Sequence, residues 1–98
     1  QTEEIEAKLL PHLGSTFTIT KRPDPKFGET VVLLTTSDDI EKVKNVCRHE
    51  LTKYEQPHIY IKVASLPLTL TGKPARAEAM RIAAEWQSTD GGNNTDEW

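Results

Sequence analysis

The 98 residues contain one cysteine, one methionine and two each of tryptophan, tyrosine and phenylalanine. A lone Cys47 excludes an internal disulfide and any cysteine-rich metal site, and it fits a reducing compartment, so a cytoplasmic location is expected. Long apolar runs are also missing. The longest covers residues 31–34, far short of the roughly 18 or more that a membrane-spanning helix needs, so no membrane span is expected. Charge of one sign is not in excess either. Twelve Lys and Arg face fifteen Asp and Glu, and three of the acids, Asp90, Asp96 and Glu97, fall in the last twelve residues, which contain no base. The remainder is balanced, which argues against nucleic acid as a partner, because that role calls for a basic stripe or a high pI. A nucleotide stays possible, since one well-placed cation can serve it. The length allows a single domain.

The hydrophobic pattern gives the order α-β-β-α-β-α, a small three-stranded and mainly antiparallel sheet with helices packed on it, an α+β fold. Thr2, Glu3, Glu4 and Glu6 mark a capped, acid-rich helix start, with Ile5 and Leu9 on one face and a stop expected near Leu10, before Pro11 and Gly14. Residues 15–21 alternate as a strand with one buried face. Residues 22–28 (RPDPKFG) read as a turn. Residues 29–36 (ETVVLLTT) do not alternate, as befits a central strand covered on both sides. Ser37 can cap an amphipathic helix bearing Ile40, Val43, Cys47 and Leu51, ended by residues 54–57. Residues 58–63 alternate again. Pro74 stands where a last helix would begin, with Ala75, Ala79, Ile82, Ala83 and Trp86 along one side. Domain boundaries of 1–86 for the folded unit and 87–98 for a flexible polar tail follow, the tail offering only Trp98 as a large apolar group.

The segment with chemical potential is residues 66–76, LPLTLTGKPAR. Gly72 gives backbone freedom just before a cation, Lys73, at the mouth of a helix. A nucleoside-triphosphate P-loop is excluded, because Pro67 stands where its first glycine belongs and Pro74 where its Ser or Thr belongs. Pro74 also removes a backbone donor, so Lys73 would act as a mobile point charge. From spacing alone, the segment is either an anion site or a turn with a solvated lysine, the latter being commoner for so short a match.

Residues 66–76, residues 54–57 (YEQP) and residues 22–29 (RPDPKFGE), taken in that arrangement, resemble the carboxyl-terminal domain of the acyl-adenylate-forming (AMP-binding) enzymes: acyl-CoA synthetases, peptide-synthetase adenylation domains and luciferases. The resemblance runs over residues 4–83. The family pattern is Leu-Pro, a hydroxyl residue, Gly-Lys, a variable pair and Arg, here Leu66, Pro67, Thr69, Thr71, Gly72, Lys73 and Arg76; Pro74 departs from the usual aliphatic residue. The resemblance implies a lid that closes over a large amino-terminal domain holding ATP with Mg2+ and a carboxylic acid, then rotates for attack by a thiol, usually coenzyme A. It implies Lys73 as the catalytic group, with Thr71, Gly72 and Arg76 about the nucleotide. It also implies a hinge upstream of Gln1, so that the chain is a fragment, inactive by itself. Similarity to compact ligases such as o-succinylbenzoate–CoA ligase of menaquinone biosynthesis points to one branch of the family.

The remaining polar residues call for structural roles. His12, His49 and His58 lack partners at ligand spacing, so no metal is assigned. Cys47 lies on an apolar helix face, where a buried thiol is expected, and Asp24 and Glu29 suit turn geometry. Arg76 can hold its loop or meet a phosphate, and the first is favoured. The rival reading is a non-catalytic α+β interaction module that contacts a protein or anionic ligand through residues 65–73. A free-standing domain that complements a separate partner is the third.

Overall fold

The computed structural model describes residues 2–87; the expected tail, from residue 88 onward, lies outside the described residues. The element order is α1 (Thr2–Leu13), β1 (Phe17–Asp24), β2 (Gly28–Thr35), α2 (Ile40–Glu50), β3 (Ile59–Lys62) and α3 (Arg76–Glu85). The expected α+β order is therefore present. The sheet order is β1-β2-β3, with β1 antiparallel and β3 parallel to β2. The antiparallel ladder is the longer, running from Phe17↔Thr35 to Asp24↔Gly28. A parallel neighbour cannot be reached by a tight turn, and α2 supplies the crossover.

Because β2 is central, Val32, Leu33 and Leu34 are all fully buried, and the alternation of the strand divides the core in two. Leu33 joins Phe17, Ile19 and the helix stripes Ile5, Leu9, Leu13 and Val43, Cys47, Leu51 on one face. Val32 and Leu34 meet Ile61 and the small residues Ala79 and Ala83 of α3 on the other, with Ile59, Val63, Ile82 and Trp86 around them. Two alanines let α3 approach the sheet closely.

Several boundaries differ from the sequence reading. Helix α1 passes through Pro11 and ends three residues later than expected. Proline there removes a single donor, and the extra turn buries Leu13 while Gly14, at φ +64, closes the helix by donating its N–H to the Leu10 carbonyl at 2.9 Å. Thr2 is itself the first helical residue rather than the residue before it. Strand β1 takes in residues 22–24 of the expected turn, leaving only 25–27 outside the strands. Asp24 makes this possible. One of its carboxylate oxygens accepts the N–H groups of Lys26 (2.7 Å) and Phe27 (3.0 Å), and the other accepts the Thr30 hydroxyl (2.9 Å). Strand β1 also has two covered faces rather than one, since Thr18 and Thr20 are buried on the α3 side. The cap of α2 is Asp39, which accepts the Lys42 N–H at 3.1 Å, while Ser37, two residues earlier, accepts the Asp39 N–H. Pro74 lies two residues before α3, bridged to Leu68, and Ala75 is the N-cap.

Close packing at the alanine stripe yields a test. Ala83→Leu should destabilise the chain by about 1–3 kcal/mol through overpacking against Val32, Leu34 and Ile61, read as a lower urea midpoint with unchanged slope. An unchanged midpoint contradicts the tight α3 contact.

Candidate functional site

Residues 66–76 fold into a small hairpin that hangs from the start of α3. Its base is antiparallel: Ala75 donates its N–H to the Pro67 carbonyl (2.9 Å) and Thr69 donates to the Lys73 carbonyl (2.7 Å), around the Leu68–Pro74 bridge. Its tip is a turn in which Gly72 donates to the Thr69 carbonyl at 2.9 Å. Gly72 has φ +85, a conformation that side chains resist, so the glycine before the lysine is a backbone requirement of this three-residue loop. The Thr69 hydroxyl accepts the Lys73 N–H at 3.2 Å and lies 3.1 Å from the Thr71 hydroxyl. Leu70 at the tip is fully exposed.

The hairpin brings Thr71, Gly72 and Lys73 together on the surface, all exposed. The Lys73 ammonium has no hydrogen bond or ion pair among the described residues; its backbone alone is bonded. Beside the hairpin runs a groove of about 390 Å³, lined on its apolar side by Leu10, Phe17, Leu66, Leu68 and Pro74. This arrangement offers one mobile cation and two neighbouring hydroxyls to an anion. It offers no enclosing walls, and no group of three or more His, Cys, Asp or Glu among the described residues could hold a metal ion.

Arg76 does not join that group. Its two terminal nitrogens reach Glu6 of α1 at 2.9 and 2.8 Å, a fork on a carboxylate, and one of them also lies 3.4 Å from the Ile19 carbonyl. The same Glu6 accepts the Ile19 N–H (3.0 Å) and the Thr18 hydroxyl (3.2 Å). Strand β1 is an edge strand, and Ile19 turns both its backbone groups outward, so the ion pair takes the place of a missing neighbour strand. Burial pushes the Glu6 carboxyl up, but the Arg76 hydrogen bond, the Ile19 N–H and the other Arg76 and Thr18 contacts outweigh it, and its pKa sits below the ordinary 4.5. The Glu6 hydrogen bond in turn raises Arg76.

In the sequence Glu6 stands out only as an acid near the start of a helix. The signal available was its position next to the buried stripe Ile5–Leu9, but a partner 70 residues away has no local signature. The other two motifs are accounted for by scaffolding. Glu55 of residues 54–57 receives both the Lys8 ammonium (2.9 and 2.8 Å) and the Thr52 N–H (2.9 Å), and Pro57 is buried. Asp24 shapes the β1–β2 turn as described, and Glu29 faces Lys21 at 3.3 Å. Cys47 is buried, with burial pushing its thiol up. His12 pairs with Glu50 and the His49 ring bonds the Asn45 carbonyl, both on the surface.

The fold is shared with segments of solved synthetases. Similar structures include an amide bond synthetase, McbA, from Marinactinospora thermotolerans, at TM-score 0.69 and 23% identity over 86% of this chain and 18% of that one. A fatty acyl CoA synthetase of Mycobacterium tuberculosis gives TM-score 0.67 and 25% identity over 80% of this chain and 16% of its own. MatB from Rhodopseudomonas palustris, solved with ATP bound, gives TM-score 0.69 and 20% identity over 86% and 18%. The chain thus spans less than a fifth of the length of these enzymes. No family model and no curated protein matches it.

The lowered Glu6 pKa has a definite sign in stability. A carboxyl more acidic in the folded than in the unfolded state stabilises the fold above its unfolded value, and that contribution is lost as pH falls through the lower folded value. Glu6→Gln should therefore cost about 1–2 kcal/mol at neutral pH, allowing for the partial exposure of Arg76, and the gap to the unmodified chain should close below the ordinary 4.5. Urea titrations of both chains across the acid range measure this; the other lowered carboxyls, Asp24, Asp38, Glu55 and Glu78, are common to both. A gap that persists unchanged in acid contradicts the assignment.

Proposed function

We propose that this chain is the small, mobile lid domain of an ATP-dependent acyl-CoA synthetase and that Lys73 is its catalytic group. The observation that carries the proposal is an unpaired ammonium on a glycine-shaped surface hairpin, in a fold that recurs as under a fifth of solved acyl-CoA and amide synthetases. The partner in this reading is a large adenylating domain of the same polypeptide, which holds the carboxylic acid and ATP with Mg2+. The exposed Leu70 at the hairpin tip and Leu68 beside it supply apolar surface for that closure.

Lys73 sits where it can lead into a cleft on a flexible stem. When a carboxylate attacks the α-phosphorus of ATP, negative charge builds on the phosphoryl oxygens as pyrophosphate leaves; an ammonium delivered there lowers the barrier, because in a water-poor site its charge is screened less than in bulk. Thr71 and Gly72 border the same anion. Arg76 has its fork on Glu6 and serves by holding the hairpin. After adenylation, a second orientation of the lid removes Lys73 and admits the thiol of coenzyme A, which displaces AMP and leaves the thioester. The hairpin is the only part of this chain that the reading brings to the reacting atoms, so the acyl pocket belongs to the partner domain. Assignment to o-succinylbenzoate–CoA ligase rests on the sequence resemblance alone, and a cytoplasmic location on the lone Cys47.

In the complete synthetase, Lys73→Ala should lower acyl-adenylate formation by roughly 10²–10³-fold or more, while thiol attack on supplied acyl-adenylate stays near its original rate. Pyrophosphate release and thioester formation, assayed separately, decide it. Equal losses in both half-reactions, or in neither, would remove Lys73 from the role.

A further inference from the structure

Helix α3 begins poorly by its own means. Ala75 at the N-cap makes no side-chain capping bond, Arg76 places a cation in the first turn, where the helix dipole disfavours one, and the one first-turn acid, Glu78, is engaged by Arg81. Such an end frays unless something outside the helix holds it. The holder is Glu6, through both guanidinium nitrogens, with Glu6 itself fixed by Ile19 and Thr18 of β1. Only Pro74 and Ala75 separate Arg76 from Lys73, and both are committed: Pro74 to the bridge with Leu68, Ala75 to the Pro67 carbonyl. The path from the ion pair to the lysine is thus a short, bonded segment, with the hairpin tip at its far end carrying no bond to the rest of the fold among the described residues.

We propose that Glu6 and Arg76 are positioning residues that set the direction in which the hairpin presents Lys73. This rests on the lid reading for its catalytic consequence, but the mechanical part stands on the bonds above. The pair touches no reacting atom. It fixes the start of α3 against the sheet edge, so the lysine is carried to the active site by a rigid arm instead of a frayed one. A misplacement of about 1 Å at a reacting centre can cost on the order of 10²-fold in rate, whereas ground-state binding of nucleotide by the other domain is insensitive to it.

Two variants test this. Arg76→Lys keeps the charge but loses the fork, and Glu6→Gln keeps the shape but loses the charge. In the 98-residue chain, amide hydrogen exchange at Gly72 and Lys73, which donate to Thr69, should quicken by about tenfold or more in both variants, while the β2 amides of residues 32–34 keep their rates. In the complete synthetase, kcat for adenylation should fall about 10–100-fold, with KM for ATP within about twofold of its original value. Unchanged exchange at the hairpin overturns the proposal, as does acceleration that spreads equally to β2, which would make the pair a general stability element. Local acceleration with adenylation intact, in an enzyme that Lys73→Ala disables, also overturns the positioning role while leaving the lid reading in place. Should Lys73→Ala itself leave adenylation untouched, the lid reading fails, and the exchange rates still decide whether the pair holds the hairpin.

Discussion

The ion pair between Glu6 and Arg76 ties together three elements that local sequence cannot join. It closes the open edge of β1, pins the N-terminus of α1 against the strand and gives an uncapped α3 a fixed beginning. Each of these would otherwise leave polar backbone groups to water or let an end fray. The arrangement is partly exposed, so its contribution to stability is modest. Its geometric consequence is larger than its energy, because the hairpin with Lys73 departs from the residue just before the fork.

The fold shows a division of labour among polar residues. Asp24, Asp39, Glu55 and Glu6 each accept backbone N–H groups or meet a cation, and each holds a turn, a cap or an edge. Lys8, Lys21 and Lys62 likewise have carboxylate partners. Lys73 shares an uncommitted charge with Lys42 and Lys53 among the described residues, and is set apart by its place on a surface hairpin, after a left-handed glycine. That placement is what the proposed electrostatic role of Lys73 rests on.

Periodicity made the architecture legible because its strongest signals are also its tertiary contacts. The non-alternating run Val31–Val32–Leu33–Leu34 is central because both its faces meet helices, and the stripe Val43, Cys47, Leu51 is buried as spaced. The ends were less legible. Pro11 stays helical because burying Leu13 and the Gly14 closure outweigh one lost donor, a balance between local and tertiary effects. Thr18 and Thr20 look like a solvent face until α3 returns from the far end of the chain to cover them. In the site, Gly72 and Lys73 were visible as a short motif, whereas Glu6, which fixes the arm, was hidden by sequence distance.

The central claim concerns one ammonium group, and its most direct test restores that group by chemistry. In a Lys73→Cys form of the complete synthetase, alkylation with 2-bromoethylamine rebuilds an amine of nearly the same length, and the buried Cys47 is shielded from the reagent in this domain. The account predicts that acyl-adenylate formation is lost in the variant and returns on aminoethylation to within about tenfold of the original rate. An enzyme active before alkylation, or still inactive after it, would contradict the account.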